Sequence, residues 1–255
     1  MRESRAKSVW LQREPSPAAA ARVFCVPHAG CGTGVFRNWP PEHGPVDFLP
    51  VELPGRLSRF GETMPATFEE LAADMIAGLE RYMDVPFAFF GHCWSALLAY
   101  EATARLQRAG GPAAARLFVS SQLAPQDGPV GRMLGMDEAE LAGELEAMIR
   151  DQGGTPHPEL VAVYLRVLRA DVEMSRRYVV PDPLRLTCPI TAIGWSEDSE
   201  VRPGQMSGWP ACGDTSFEVF AGRHNRFVDA PRELLTTLCA GMAGRGPSRL
   251  PVTSR

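Results

Sequence analysis

The chain has 255 residues, of which 45% are hydrophobic and 22% charged, with 26 Lys and Arg against 30 Asp and Glu. That composition suits a globular domain with a sizeable core and excludes a disordered or fibrous chain. The net charge of −4 provides no bulk positive field for nucleic acid or anionic lipid, and no apolar run approaches the roughly 18 residues of a membrane span. The first residues lack the apolar stretch of a signal peptide, so a cytoplasmic location is expected. Six cysteines (Cys25, Cys31, Cys93, Cys188, Cys212 and Cys239) form no C-x-x-C pair. They are read as reduced thiols, mostly buried, rather than a disulfide framework or a zinc site.

In chain order, residues 1–20 are polar and then Pro- and Ala-rich, which predicts a flexible start anchored by Trp10. Residues 22–27 (RVFCVP) are β-branched and aromatic and end at Pro27, the pattern of a buried strand. A Gly-rich loop from His28 to Gly34 follows, and then a strand over 48–53 that ends at the Pro54-Gly55 turn. Residues 67–83 are a predicted helix. Thr67 and Glu70 match a capping box, and Leu71, Met75, Leu79 and Met83 recur every fourth residue.

The continuous apolar run 85–90 (VPFAFF) predicts a central parallel strand. It leads into GHCWS (91–95) and a helix that stops at Gly110-Gly111. A strand is expected over 116–120. Residues 126–180 are helical and Met-containing, broken at Gly153–Pro156, and they interrupt the alternation of strand and helix. Strands resume at 189–194 and 217–222, Pro231 opens a last helix to about 243, and 244–255 is expected to be a disordered tail. The expected architecture is an α/β domain over 21–243 with a mostly parallel central sheet and a lid at about 126–180.

Chemistry in such sheets gathers at the carboxyl ends of the strands. Cys93, Asp198 and His224 each follow a predicted strand, in the order nucleophile, acid, base of an α/β-hydrolase. A sharp strand-to-helix turn needs small neighbours, and Gly91 and Ser95 stand two residues to either side of Cys93. A thiol at a helix N-terminus is favoured as thiolate. His224 can take its proton, and Asp198 can orient the imidazole. The backbone N–H of Trp94, with one from the 28–34 loop, most plausibly Ala29, would form an oxyanion hole.

The sequence resembles the type II thioesterases, stand-alone α/β-hydrolases of polyketide and nonribosomal peptide assembly lines. The resemblance spans about residues 10–240 and rests on six ordered blocks. They are VFCVPHAGCG (23–32), VELPGRLSR (51–59), PFAFFGHCWSALLAYE (86–101), GGTP with LRAD (168–171), CPITAIGWSEDSEV (188–201) and FAGRHNRF (220–227). It implies Cys93 at the position of the nucleophilic serine, Asp198 as orienting acid and His224 as base. It further implies Ala29 and Trp94 as oxyanion donors, with Trp94 and His28 against the substrate. The implied substrates are acyl groups held as phosphopantetheine thioesters on acyl or peptidyl carrier proteins. No cofactor or metal is implied beyond the carrier's own arm, and a monomer is expected. No nucleotide or zinc-protease motif is present.

Three departures from the family pattern cluster at the site: Cys93 for Ser, Trp94-Ser95 for Met-Gly, and Asn225 for the aromatic that follows the histidine. An acyl group on sulfur keeps its group-transfer potential. Transfer to another carrier or to an amine is therefore the alternative to hydrolysis. A silent carrier-binding protein is disfavoured because His224 and Asp198 are both retained, and a lactone hydrolase because the PHAGCG, LPGR and GGTP blocks are present. Glu197 is the fallback acid. His92 is read as polar support, and His28 as ordering its loop. Arg56 is read as structural, with phosphate steering as the alternative. Met133, Met136, Met148 and Met174 suggest a plastic apolar surface in the lid.

Overall fold

The protein is described by a computed structural model covering residues 8–129, 131–151 and 153–243. Among the described residues seven strands form one sheet: β1 (Ala21–Val26), β2 (Glu42–His43), β3 (Val46–Pro50), β4 (Phe87–His92), β5 (Arg116–Ser120), β6 (Ile190–Trp195) and β7 (Thr215–Phe220). Their spatial order is β2-β3-β1-β4-β5-β6-β7. Neighbours pair in parallel except β2 with β3. Five α-helices accompany them: α1 (Phe68–Leu79), α2 (Trp94–Arg108), α3 (Glu138–Asp151), α4 (Pro158–Arg177) and α5 (Arg232–Ala243).

Every residue of β1, β4 and β6 is buried, which is why these strands read as largely apolar rather than alternating sequence. β7 is an edge strand with residues 216–219 exposed. α1 begins where the capping pattern placed it. Thr67 Oγ1 accepts the Glu70 N–H at 3.2 Å, and the Glu70 carboxylate accepts the Ala66 N–H at 2.9 Å. The helix stops at Leu79, short of the predicted end, and a 3₁₀ turn over Glu80–Tyr82 carries the chain to buried Met83.

Other boundaries shift in ways that matter. β4 starts later than expected and runs through His92, because Gly91 pairs with Val26 and His92 with Ser120. The third strand occupies 46–50 rather than 48–53, and Val51 instead bridges Leu11. The two-residue β2 was not expected at all.

The flexible start expected over 1–20 is corrected for its described part. Trp10 anchors it as expected, but the chain around Trp10 is docked too. Trp10 and Leu11 are buried, the Trp10 carbonyl accepts the Glu52 N–H at 2.9 Å, and Arg13 pairs with buried Asp47. Arg59 stacks on the Trp10 ring at 4.0 Å. Residues 1–7 and the expected tail 244–255 lie outside the described residues.

Between β5 and β6 the helical insertion has its own small core of Leu141, Leu145, Val161, Leu168 and Val172. Its helices lie over the carboxyl ends of the strands, and α4 packs so closely that a Cβ on Gly30 would stand 3.1 Å from Leu168.

The Trp10 anchor is testable at Gly78, where a Cβ would overlap the indole ring. Overpacking such a site costs about 1–3 kcal/mol. Gly78→Ala should lower the urea midpoint by an equivalent amount, whereas an unchanged midpoint would show that Trp10 is not seated there.

Candidate active site

Cys93 stands at the N-terminus of α2 with φ 53° and ψ −128°, backbone that residues other than Gly rarely adopt. Its N–H donates to the Ser120 carbonyl at 2.8 Å, and its own carbonyl accepts the Ala96 N–H at 2.9 Å. The turn is so tight that a Cβ at position 91 would overlap the Ser95 carbonyl. Ser95, where the family pattern expects glycine, fits because its hydroxyl is used. Oγ accepts the His92 N–H at 3.0 Å and lies 2.9 Å from the Val26 carbonyl and 3.0 Å from that of His92. The hydroxyl therefore ties the ends of β1 and β4 together.

His224 opens a 3₁₀ turn after β7. Its Nδ1 lies 2.8 Å from Asp198 Oδ2, and the ring shares the lining of one cavity with Cys93. Asp198 is buried, and both of its oxygens are occupied. Oδ2 also accepts the Ser121 hydroxyl at 2.7 Å, while Oδ1 accepts the N–H groups of Glu200 at 2.8 Å and Val201 at 3.0 Å. Burial works against its charge, but these bonds and the imidazole hold the carboxyl below its usual range. Glu197, the fallback acid, is exposed and has no bond to His224 among the described residues.

Burial also opposes charge on His224. The bond to Asp198, the adjacent Cys93 and the charge of Glu200 outweigh that penalty and push its pKa up to about 10. The other two nearby histidines behave oppositely. Burial, reinforced by the charge on His224, lowers His28 to about 4 and His92 well below the ordinary value. The His92 ring stacks on Phe227 at 4.2 Å, lies edge-on to His224 at 4.6 Å, and places Nδ1 3.0 Å from Ser120 Oγ. It is polar support, as expected. Burial pushes Cys188 up to about 11 and Cys212 to about 12, and raises Cys25 and Cys239 as well. Cys239 is half-buried rather than buried.

His28, Ala29, Cys93, Trp94 and His224 line the floor of one apolar cavity. The insertion supplies its roof, including Met133, Met148 and Val172. Of the other two methionines expected there, Met174 is buried in the main core and Met136 lines a different surface depression. Trp94 is 3% exposed, packs on Phe68 at 5.1 Å and donates from Nε1 to the Asp171 carbonyl at 3.0 Å, so its bulk lies between α1 and α4.

Arg56 is fully buried. It donates to the carbonyls of Cys31 at 2.8 Å and Pro54 at 3.0 Å and pairs with the Asp171 carboxylate, which leaves it unable to meet a substrate phosphate. Sequence reasoning missed Ser121 and Glu200. Ser121 reaches Asp198 from a strained backbone with φ 47°. Glu200 Oε2 stands 3.9 Å from His224 Nε2 and 3.2 Å from Arg132 of the insertion.

A thioesterase domain profile matches residues 21–240. Over 232 residues the chain is 29% identical to thioesterase PikA5 of Streptomyces venezuelae, an alignment covering 89% of this chain and 83% of that protein. It is 33% identical over 251 residues to the AMB antimetabolite synthetase AmbE of Pseudomonas aeruginosa, which covers 97% of this chain but only 12% of AmbE. The structure of BorB, a type II thioesterase from the borrelidin biosynthetic cluster, superposes with a TM-score of 0.77 at 27% identity, over 91% of this chain and 97% of that one.

The proton on His224 gives a direct check of these electrostatics. NMR titration of the ring should show it protonated at pH 8 and losing its proton only toward pH 10. Cys93→Ala removes two of the contributions that raise it and should move the titration to lower pH. A ring that titrates near 6.5 in both proteins would contradict the arrangement.

Proposed function

The chain belongs to the thioesterase domain family, and on that footing we propose that it is a type II thioesterase that releases acyl groups held as phosphopantetheine thioesters on carrier proteins of polyketide or nonribosomal peptide synthesis. The observation that carries this reading is Cys93 beside His224 on the floor of one apolar cavity, with His224 hydrogen-bonded to buried Asp198. The α/β-hydrolase fold and the similarity to PikA5 and BorB support it.

The chemistry follows from the groups present. His224 holds the proton given up by the Cys93 thiol, and Cys93 Sγ attacks the thioester carbonyl carbon as the thiolate of that pair. The carbonyl oxygen becomes an oxyanion facing the N–H groups of Ala29 and Trp94. Trp94 is the first residue of α2, so its amide is one of those a helix leaves unpaired. Collapse breaks the bond to the pantetheine sulfur, and His224 returns the proton to that leaving thiolate. The acyl group is now a thioester on Cys93. His224 next deprotonates a water, which attacks the same carbon and frees the carboxylic acid and the Cys93 thiol. Asp198 keeps the imidazole oriented and offsets its charge throughout.

A second reading is favoured by the sulfur itself. Serine would trap the acyl group as an oxoester, a downhill step. Cys93 exchanges one thioester for another of nearly equal energy, so a second carrier thiol or an amine is a competent acceptor in place of water.

A carrier protein loaded with an acyl group and incubated with the enzyme separates these outcomes by the product formed. Free acid is expected under hydrolysis, and acylated second carrier or amide under transfer. Either way, Cys93→Ala should reduce turnover by about 1000-fold or more, the scale of losing a nucleophile. Undiminished turnover would remove Cys93 from the mechanism. Cys93→Ser should keep or gain hydrolysis while losing any transfer.

A further inference from the structure

Three polar contacts from other parts of the chain converge on one residue of the insertion. Asp171, on α4, and its partner Arg56 are both fully buried. Asp171 Oδ2 accepts the Gly30 N–H at 2.8 Å as well as the Arg56 guanidinium. Arg56 in turn donates from Nε to the Cys31 carbonyl at 2.8 Å. The Asp171 carbonyl accepts the Trp94 indole N–H at 3.0 Å. Asp171 Oδ1, by contrast, has no hydrogen-bond partner among the described residues.

These contacts have a common target. The Ala29–Gly30 peptide is adjacent to the Ala29 N–H, and bonding of the Gly30 N–H to Asp171 fixes its plane. The Arg56 bond to Cys31 holds the loop one residue further on. The indole bond holds Trp94, the first residue of α2, at the lining of the cavity. One residue of the lid, through its carboxylate on one side and its backbone carbonyl on the other, therefore braces both amides assigned above to the oxyanion.

We propose that Asp171 is a positioning residue for the oxyanion site, so that the Ala29 and Trp94 amides come into register only while the helical insertion is seated on the sheet. This rests on the reading of Cys93, Ala29 and Trp94 given under the proposed function. It adds that closure of the lid and assembly of the oxyanion site are a single event. An open lid leaves a nucleophile that still has its histidine but cannot stabilise a tetrahedral intermediate.

Two reactions of the same sulfur distinguish positioning from general structural support. Acylation by a small acyl thioester passes through an oxyanion. Alkylation by iodoacetamide displaces iodide at a tetrahedral carbon and forms none. Asp171→Asn preserves shape and an accepting oxygen but removes the charge that holds Arg56.

In the full-length protein, followed by intact mass, Asp171→Asn should slow single-turnover acylation of Cys93 about 10- to 100-fold while alkylation stays within about twofold of wild type. Trp94→Phe keeps an aromatic ring and deletes the indole N–H, and it should show the same selectivity to a smaller degree. Should Asp171→Asn lose both reactions together, Trp94→Phe decides. Selective loss of acylation there upholds the assignment, and equal loss or no loss overturns it. Unchanged acylation in Asp171→Asn also overturns it. A wild-type protein that is alkylated at Cys93 but never acylated there would overturn the nucleophile reading and this inference with it.

Discussion

At φ 53° and ψ −128°, Cys93 occupies backbone that an L-residue enters at a cost of about 1–3 kcal/mol, and the surroundings are arranged to hold it there. The Cys93 N–H is bonded to β5 through Ser120, and the absence of a Cβ at Gly91 lets α2 start against the strand. The Ser95 hydroxyl binds β1 and β4 together beneath the turn. The same geometry lifts the sulfur above the sheet, places it at the positive end of α2, and brings the first residue of that helix to the lining of the cavity. The replacement of glycine by serine in the turn is accommodated because the added hydroxyl is buried and fully bonded, so its desolvation is compensated.

The second constraint is that a buried site tolerates little net charge. Three histidine rings lie together here, and one of them carries the proton. His28 and His92 are kept neutral by burial and by their neighbour's charge, while Asp198 lets His224 stay protonated. Asp198 can do this because four donors hold its own charge in place. The other cysteines that lie in apolar surroundings are pushed toward the thiol form. Cys93 instead shares its cavity with the charged imidazole of His224, the counter-ion that the proposed thiolate requires.

Much of this was legible in the sequence, for identifiable reasons. Strands buried on both faces write themselves as largely apolar runs, and the alternation with helices declared a parallel sheet with Cys93, Asp198 and His224 beyond its strand ends. The Thr67 cap and the break at Gly153–Pro156 are local signals, and both correspond to real boundaries. What escaped were features made by distant segments meeting. β2 is too short to carry a pattern. The docking of residues around Trp10 depends on a groove left by Gly78, far along the chain. Ser121 and Asp198 are 77 positions apart, and Arg56 and Asp171 are 115 apart. No periodicity links such pairs. The LPGR and LRAD blocks were visible separately, and only the fold brings their charges together.

The central claim is that sulfur at position 93 carries the acyl group. The most direct measurement is to mix the protein with acyl-loaded carrier, quench in acid during turnover, and map the adduct by peptide mass spectrometry. The expected result is a mass increase equal to the acyl group on the peptide containing Cys93, removed by neutral hydroxylamine as a thioester is. Turnover with no adduct on that peptide, or with the acyl group on another residue, would contradict it.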